Sequence, residues 1–374
     1  MRQEPASSTD FAFRLFSQAT AERPSDNVFI SPTSVEIALA MTVNGARGAT
    51  KRAILGALGL PENYSLRSLN QRQSSLMAAL KSPDPKVELA IANAVWARQG
   101  VEFNKAFLNK NRKFYGAQVE ALDFADQQAA LARINGWCSQ NTRGKIEKIL
   151  EEIGGDAILF LMNAIYFKGA WAVEFNKSLT QERPFTLLSG ATKQHPLMHQ
   201  SGEYSYLRGE GFQAVSLPYG GGRVSAYVFL PDKSVGLRSF LESLDAATWD
   251  SWMSRFRTAD GDIAVPRFKL EYETDLSRGL TSMGMGIAFD DSRADFGAMC
   301  PRSRVRISEV KHKTYVDVNE EGTEAAAVTS VGFECLSVSI KQRFSLVVDR
   351  PFLFAIRDNE TGAPLFLGSI VDPK

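Results

Sequence analysis

The sequence predicts a mixed α+β fold in one domain spanning residues 1–374. Three observations carry this: helical periodicity dominates the first half, strand-like alternation and wholly apolar runs dominate the second, and no repeat, low-complexity tract or linker separates them. Length alone would allow two or three domains. With 44% hydrophobic and 23% charged residues, the chain has enough apolar material for a full core.

The helices come first. Ser8, Thr9 and Asp10 offer a cap ahead of Phe11, Leu15 and Ala19 at helical spacing, and Pro24 closes that segment. Ser31-Pro32 starts a second helix with Val35, Leu39 and Val43 on one face and Gly45 at its end. Further helical stretches are expected over 51–58, 65–80, 104–115 and 129–149. Strands follow. Residues 223–230 alternate, with Val224, Ala226 and Val228 on one face, and Gly220-Gly221-Gly222 joins them to 214–217 as a hairpin. Residues 352–356 and 365–371 are nearly all apolar around a turn at 359–362, and read as strands buried on both faces.

Several classes of function are excluded or unsupported. Lysine plus arginine number 43 against 42 acidic residues, a net charge of +1, so there is no bulk basic excess for nucleic acid. No apolar run approaches the ~18–20 residues of a membrane span. Cys138, Cys300 and Cys335 are too far apart for a metal knuckle and allow one disulfide at most. There is no G-x-S-x-G elbow and no phosphate-binding G-x-x-x-x-G-K-[ST] loop. His195 and His199 have the spacing of a zinc helix, but Pro196 stands where the glutamate is needed and would break that helix. His312 is the third and last histidine, so a catalytic triad has no local signature. No cofactor, metal or catalytic residue is expected. The start, Met1-Arg2-Gln3-Glu4-Pro5, lacks the apolar core of a secretion signal. Either export by that route does not occur or a signal has been removed, and composition does not choose.

Between Arg302 and Arg350 there is no proline. Residues 305–318 alternate, placing His312, Thr314, Val316 and Val318 on one face, and so read as a strand. After Asn319-Glu320-Glu321-Gly322 comes a run with few large apolar groups, Thr323 to Gly332, which should be an exposed loop. Yet every residue in it could donate to a β ladder, and one face would carry only Thr323, Ala325, Ala327 and Thr329. An alanine-rich helical turn is the alternative on physics alone.

Glu320, Glu321, Gly322, Thr323, Glu324, Ala325, Ala326, Ala327, Val328 and Thr329 together resemble the hinge of the reactive-centre loop of inhibitory serpins. The resemblance extends over nearly the whole chain. Asn27-Val28-Phe29-Ile30-Ser31-Pro32-Thr33-Ser34 is similar to the strand-to-helix passage near the serpin amino terminus. Asn163-Ala164-Ile165-Tyr166-Phe167-Lys168-Gly169-Ala170-Trp171 is similar to the third strand of the main sheet, and His312 stands eight residues before Glu320, as the family pattern expects. Asp349-Arg350-Pro351-Phe352-Leu353-Phe354 and Leu365-Phe366-Leu367-Gly368 resemble the carboxy-terminal strands.

The resemblance implies three β-sheets, eight or nine helices and an exposed loop at about 320–340. It implies a suicide inhibitor rather than an enzyme. A target serine protease, or a cysteine protease, acylates itself on the loop, and the freed hinge then enters the main sheet as an added strand. Roughly a dozen new ladder hydrogen bonds at about 1 kcal/mol net each would supply on the order of 10 kcal/mol. At about 3.3 Å per residue, the inserted stretch would carry the protease ~45 Å. Counting sixteen residues from Glu320 puts the reactive bond at Leu336–Ser337, with Phe333 and Cys335 as rival positions. Leucine there suits an apolar primary pocket: chymotrypsin-, elastase- or subtilisin-like. Ser31, Ser34, Asn163 and His312 resemble the polar cluster that gates the sheet, and Trp171 the tryptophan beneath its upper end.

Further expectations stay paired with plainer ones. Cys335 is a redox handle or an ordinary loop residue. Lys105, Lys110, Arg112 and Lys113, and separately Arg302, Arg304 and Arg306, leave open a glycosaminoglycan contact beside the plain reading of solvated faces. Asn63, Asn176 and Asn359 begin N-x-[ST] acceptors that matter only in a eukaryotic secretory setting. The family favours an extracellular or periplasmic protein, with the cytoplasm as the alternative. It also favours a monomer, able in principle to polymerise by loop-to-sheet addition. A serpin-fold binding or chaperone protein is the other reading. Its relatives tend to carry proline, charged or bulky residues where this hinge has Thr323, Ala325, Ala327 and Thr329.

Overall fold

The computed structural model describes residues 8–81, 84–155, 157–323 and 343–374. Side-chain caps set the helix starts. Ser31 Oγ accepts the Ser34 N–H at 3.3 Å ahead of Pro32–Val43, Ser65 caps Leu66–Leu80, and Asn104 caps Lys105–Tyr115. Ser8–Glu22, Gly48–Ala57, Gln127–Asn141, Gly236–Glu242, Ala246–Met253 and Ser277–Leu280 complete nine α-helices among the described residues.

A six-stranded sheet runs in the order Phe268–Asp275, Lys311–Asn319, Gly322–Thr323, Leu159–Ala170, Val87–Arg98 and Gln118–Leu122, with only the last pair parallel. A second, nine-stranded ladder joins what the resemblance counts as two sheets. Its link is the 18-residue strand Thr192–Gly209. That strand pairs first with Gln181–Thr186, then along one edge with Arg257–Pro266, and at its far end with Phe212–Tyr219. Packed between helices and sheets is a large apolar core. A separate cluster, including Trp96, Ile134, Trp137 and Cys138, fills the space beneath the Gln127–Asn141 helix.

Three expectations are corrected. The helix expected over 129–149 occupies Gln127–Asn141, because Arg143 and Gly144 take positive φ (54° and 78°) and turn the chain back. The returning segment is held by Asn135, whose Oδ1 accepts the Ile149 and Leu150 N–H groups at 2.9 and 3.0 Å. The strand expected from Val305 begins at Lys311. Upstream backbone donors are spent elsewhere, Ile307 N–H on Ala288 O and Val310 N–H on Ser277 Oγ. The strand expected to alternate, observed as Val224–Pro231, is buried at all eight residues, since it lies inside the nine-stranded ladder with core on both sides. Lys105, Lys110, Arg112 and Lys113 are exposed on one helix, whereas Arg302, Arg304 and Arg306 lie in irregular chain, with Arg302 paired to Glu102 and Arg306 to Asp291. His195 and His199 lie on a strand, and His195 Nε2 meets Arg267 O at 2.6 Å.

Candidate functional site

At the upper end of the six-stranded sheet the chain makes a tight turn and re-enters between two strands. Asn319 pairs with Gly322 and Val318 with Thr323 on one side, while Gly322 and Thr323 pair with Ala170 and Gly169 on the other. Thr323 is 1% exposed, and its hydroxyl shares a 2.6 Å hydrogen bond with the buried Tyr219 hydroxyl. Burial pushes the Tyr219 phenol far above its usual pKa, so this bond is neutral. Trp171 stacks on Tyr219 with ring centroids 4.4 Å apart. Its Nε1 donates to Asn319 O at 2.8 Å and its backbone N–H to Glu321 O at 3.0 Å. The Glu320 carboxylate is buried, accepts the Thr180 hydroxyl at 2.7 Å and faces Arg267 at 3.6 Å; exposed Lys177 reaches Glu321 at 2.5 Å. Of these residues, the family motifs mark Glu320, Glu321, Gly322, Thr323 and Trp171. Tyr219, Thr180, Arg267 and Lys177 are further members of the site that no local sequence pattern marks.

Gly322 is required by space as well as by conformation. At φ 153° a Cβ here would stand 2.1 Å from Gly169 O, a backbone atom that cannot turn aside. Gly322→Val is therefore expected to expel residues 322–323 from the sheet. Faster amide hydrogen exchange at Thr323 and Gly169 checks this, and unchanged protection would refute it.

Lower in the sheet, Ser31, Ser34, Asn163 and His312 form one connected cluster. Ser31 N–H donates to His312 Nε2 at 2.9 Å, Ser34 N–H to Ser31 Oγ, and the Ser34 hydroxyl to Asn163 Oδ1. Asn163 Nδ2 continues to Asn93 Oδ1 at 2.7 Å, and Asn93 Nδ2 donates to Tyr115 O at 2.8 Å, two partners outside the family motifs. Thr314 Oγ1 donates to Phe29 O, tying the Lys311–Asn319 strand to the chain just before Ser31. Burial alone lowers the His312 pKa to about 4, so the imidazole is neutral and can accept from Ser31. Glu324, Ala325, Ala326, Ala327, Val328, Thr329, Phe333, Cys335, Leu336 and Ser337 lie outside the described residues. The other cysteines, Cys138 and Cys300, are buried free thiols.

An α+β protein in which a downstream segment sits between two strands of its own large sheet, over a buried polar cluster, is of a recognisable class, and comparison names it. The chain matches the family model for Serpin (serine protease inhibitor) over residues 6–373. It is 34% identical to the leukocyte elastase inhibitor of Equus caballus, over 100% of both chains. Among solved structures it is similar to the thermophilic serpin tengpin in the native state (TM-score 0.89, 30% identity, 98% of this chain and 93% of that one). It is also similar to thyroxine-binding globulin in complex with thyroxine (TM-score 0.88, 29% identity, 98% of both chains). The protein belongs to the serpin family and has the serpin fold.

Proposed function

We propose that the chain acts as a single unit over residues 1–374 and inhibits serine proteases with an apolar primary pocket by a covalent trap used once. The protease serine attacks the Leu336 carbonyl and the Ser337 amine leaves with a proton, so the enzyme is held as an ester on Leu336. The freed hinge then continues the strand that Gly322 and Thr323 begin. The observation that carries this reading is that these two residues pair with strands on both sides. The small, uncharged residues Ala325, Ala327 and Thr329, which would alternate with Thr323 along an added strand, support it, because nothing in them resists burial. In this reading Ser31, Ser34, Asn163 and His312 gate the sheet, Trp171 and Tyr219 form the surface onto which Thr323 seats, and the protein performs no catalysis of its own. Carrying a small molecule, as the thyroxine complex of a relative shows for that protein, is the alternative.

The test mixes the protein with chymotrypsin at equal moles. A band at the summed mass on a denaturing gel is expected, with a released peptide starting at Ser337. Complete cleavage with the protease still active would overturn the proposal.

A further inference from the structure

On the proposed function, an inserted hinge divides the six-stranded sheet into two halves. Phe268–Asp275 and Lys311–Asn319 lie on one side, and Leu159–Ala170, Val87–Arg98 and Gln118–Leu122 on the other. The Gln127–Asn141 helix rides on the second half. Its apolar cluster takes Ala94 and Trp96 from Val87–Arg98, and Met162 and Ala164 from Leu159–Ala170. Arg133 of the helix donates through Nε and Nη2 to the two Glu120 oxygens of Gln118–Leu122, at 3.1 and 2.7 Å.

The turn after this helix reaches across to the other half. Among the described residues, Arg143 is the one non-glycine with positive φ, 54°, a conformation costly for a residue with a Cβ. The turn is tied back on itself: Gly144 N–H donates to Ser139 O at 2.8 Å, Lys145 N–H to Thr142 O at 2.9 Å, and Ile146 N–H to Thr142 Oγ1 at 3.1 Å. Arg143 Nε and Nη2 both donate to Glu88 Oε1, at 2.9 and 2.5 Å, on the half that carries the helix. Two residues on, Lys145 Nζ stands 5.1 Å from the centre of the Tyr315 ring, on the other half. Lys269, from Phe268–Asp275, lies 5.6 Å from the same ring, so Tyr315 is also held from its own side. Register places both fastenings at the entry of the sheet. Glu88 faces Lys168, one residue below the Gly169–Thr323 pair, and Tyr315 lies three residues below Val318, the other partner of Thr323.

We infer that residues 143–145 form a clasp across this entry, fastened by Arg143 to Glu88 and by Lys145 to Tyr315, and that its opening limits how fast a strand enters below Thr323. An entering strand needs about 4.8 Å from each neighbour. The Arg133 and Arg143 pairs stay within one half as the halves part, so the contact that gives way is that of Lys145 with Tyr315. The bearing of the clasp on inhibition rests on the proposed function, and the clasp itself is tested without a protease.

The whole protein is mixed with a fluorescent peptide of the sequence of residues 324–334, and entry is read as the rise of fluorescence anisotropy with time. Lys145→Met keeps the stem and removes the cation. It should take up the peptide about fourfold faster, the size of a cation–π contact at an exposed site, and Lys145→Arg should keep the native rate. Glu88→Thr loosens the other end and should also speed entry. The double variant should be no faster than Lys145→Met alone, because a clasp open at one end holds nothing at the other. Two independent contacts would instead multiply their effects. Arg208→Gln, which removes the pair with Asp232 in the other sheet, should leave the rate unchanged. A native rate for Lys145→Met, a product of the single effects in the double variant, an equal gain from Arg208→Gln, or a peptide that enters none of the proteins would each overturn the inference. Adduct yield with chymotrypsin is measured separately: a protein that takes up the peptide in this pattern and forms no adduct keeps the clasp and loses the inhibitory reading.

Discussion

On the proposed mechanism, Thr323→Arg is expected to behave as a substrate: chymotrypsin should cut the variant completely, form no adduct stable to denaturant and remain active. Thr323 sits between Val318 and Gly169 with 1% of its surface exposed, and its one polar atom is matched to Tyr219. Among the described residues, the hydrogen-bond partner at this position is the neutral Tyr219 hydroxyl and not a carboxylate. Leaving a charge buried and unpaired costs about 4 kcal/mol. The uncleaved variant avoids that penalty by leaving residues 322–323 outside the sheet, so its loss of stability is limited to the ladder bonds of those two residues and the hydrogen bond with Tyr219. After cleavage there is no such escape, because insertion must pass through this position first. A barrier raised by about 4 kcal/mol slows insertion about a thousandfold, and hydrolysis of the acyl ester then wins. Thr323→Val is the control. It keeps the volume and removes only the hydrogen bond with Tyr219, so it should lose about 1 kcal/mol and still trap. Normal adduct yield from Thr323→Arg would sink the proposed mechanism.

The elements around this position were legible in the sequence to different degrees, for physical reasons. The Lys311–Asn319 strand was legible because it is buried on one face, and His312, Thr314, Val316 and Val318 are its buried residues at every second position. Val224–Pro231 is buried on both faces, so the alternation of side chains along it carried no information about burial. The return of the chain after Asn141 depends on Arg143 adopting positive φ, which no residue-level propensity predicts for arginine. The family motifs located Ser31, Asn163, Trp171 and Glu320, yet not what those residues touch. Tyr219 meets Thr323 across 104 residues of chain, and Thr180 meets Glu320 across 140. Contacts of that range are decided by sheet topology, and a tyrosine at a strand end looks the same with or without a threonine above it.

His312 gives the second large effect, through pH. Its folded-state pKa of about 4 lies below the 6.5 of an unfolded histidine, because burial disfavours the charged ring. Between those values the unfolded chain binds a proton that the native protein does not, so native stability falls as pH falls through this window and is unaffected by this group above it. The full loss is about 3 kcal/mol, and urea midpoints at pH 7 and pH 4 should differ by on the order of 1 M from this residue. Other groups titrate in the same range, His195 among them with its pKa also lowered by burial, so the measurement is a difference between proteins. His312→Gln retains an oxygen to accept the Ser31 N–H and cannot titrate. Its midpoint should fall less steeply than the native protein's below pH 6.5, with the two curves parallel above. Parallel curves throughout would mean that the folded imidazole titrates as it does in the unfolded chain and that burial does not disfavour its charge. In that case Nε2 could accept the Ser31 N–H only above about pH 6.5, and the polar cluster beneath the sheet would come apart in mild acid.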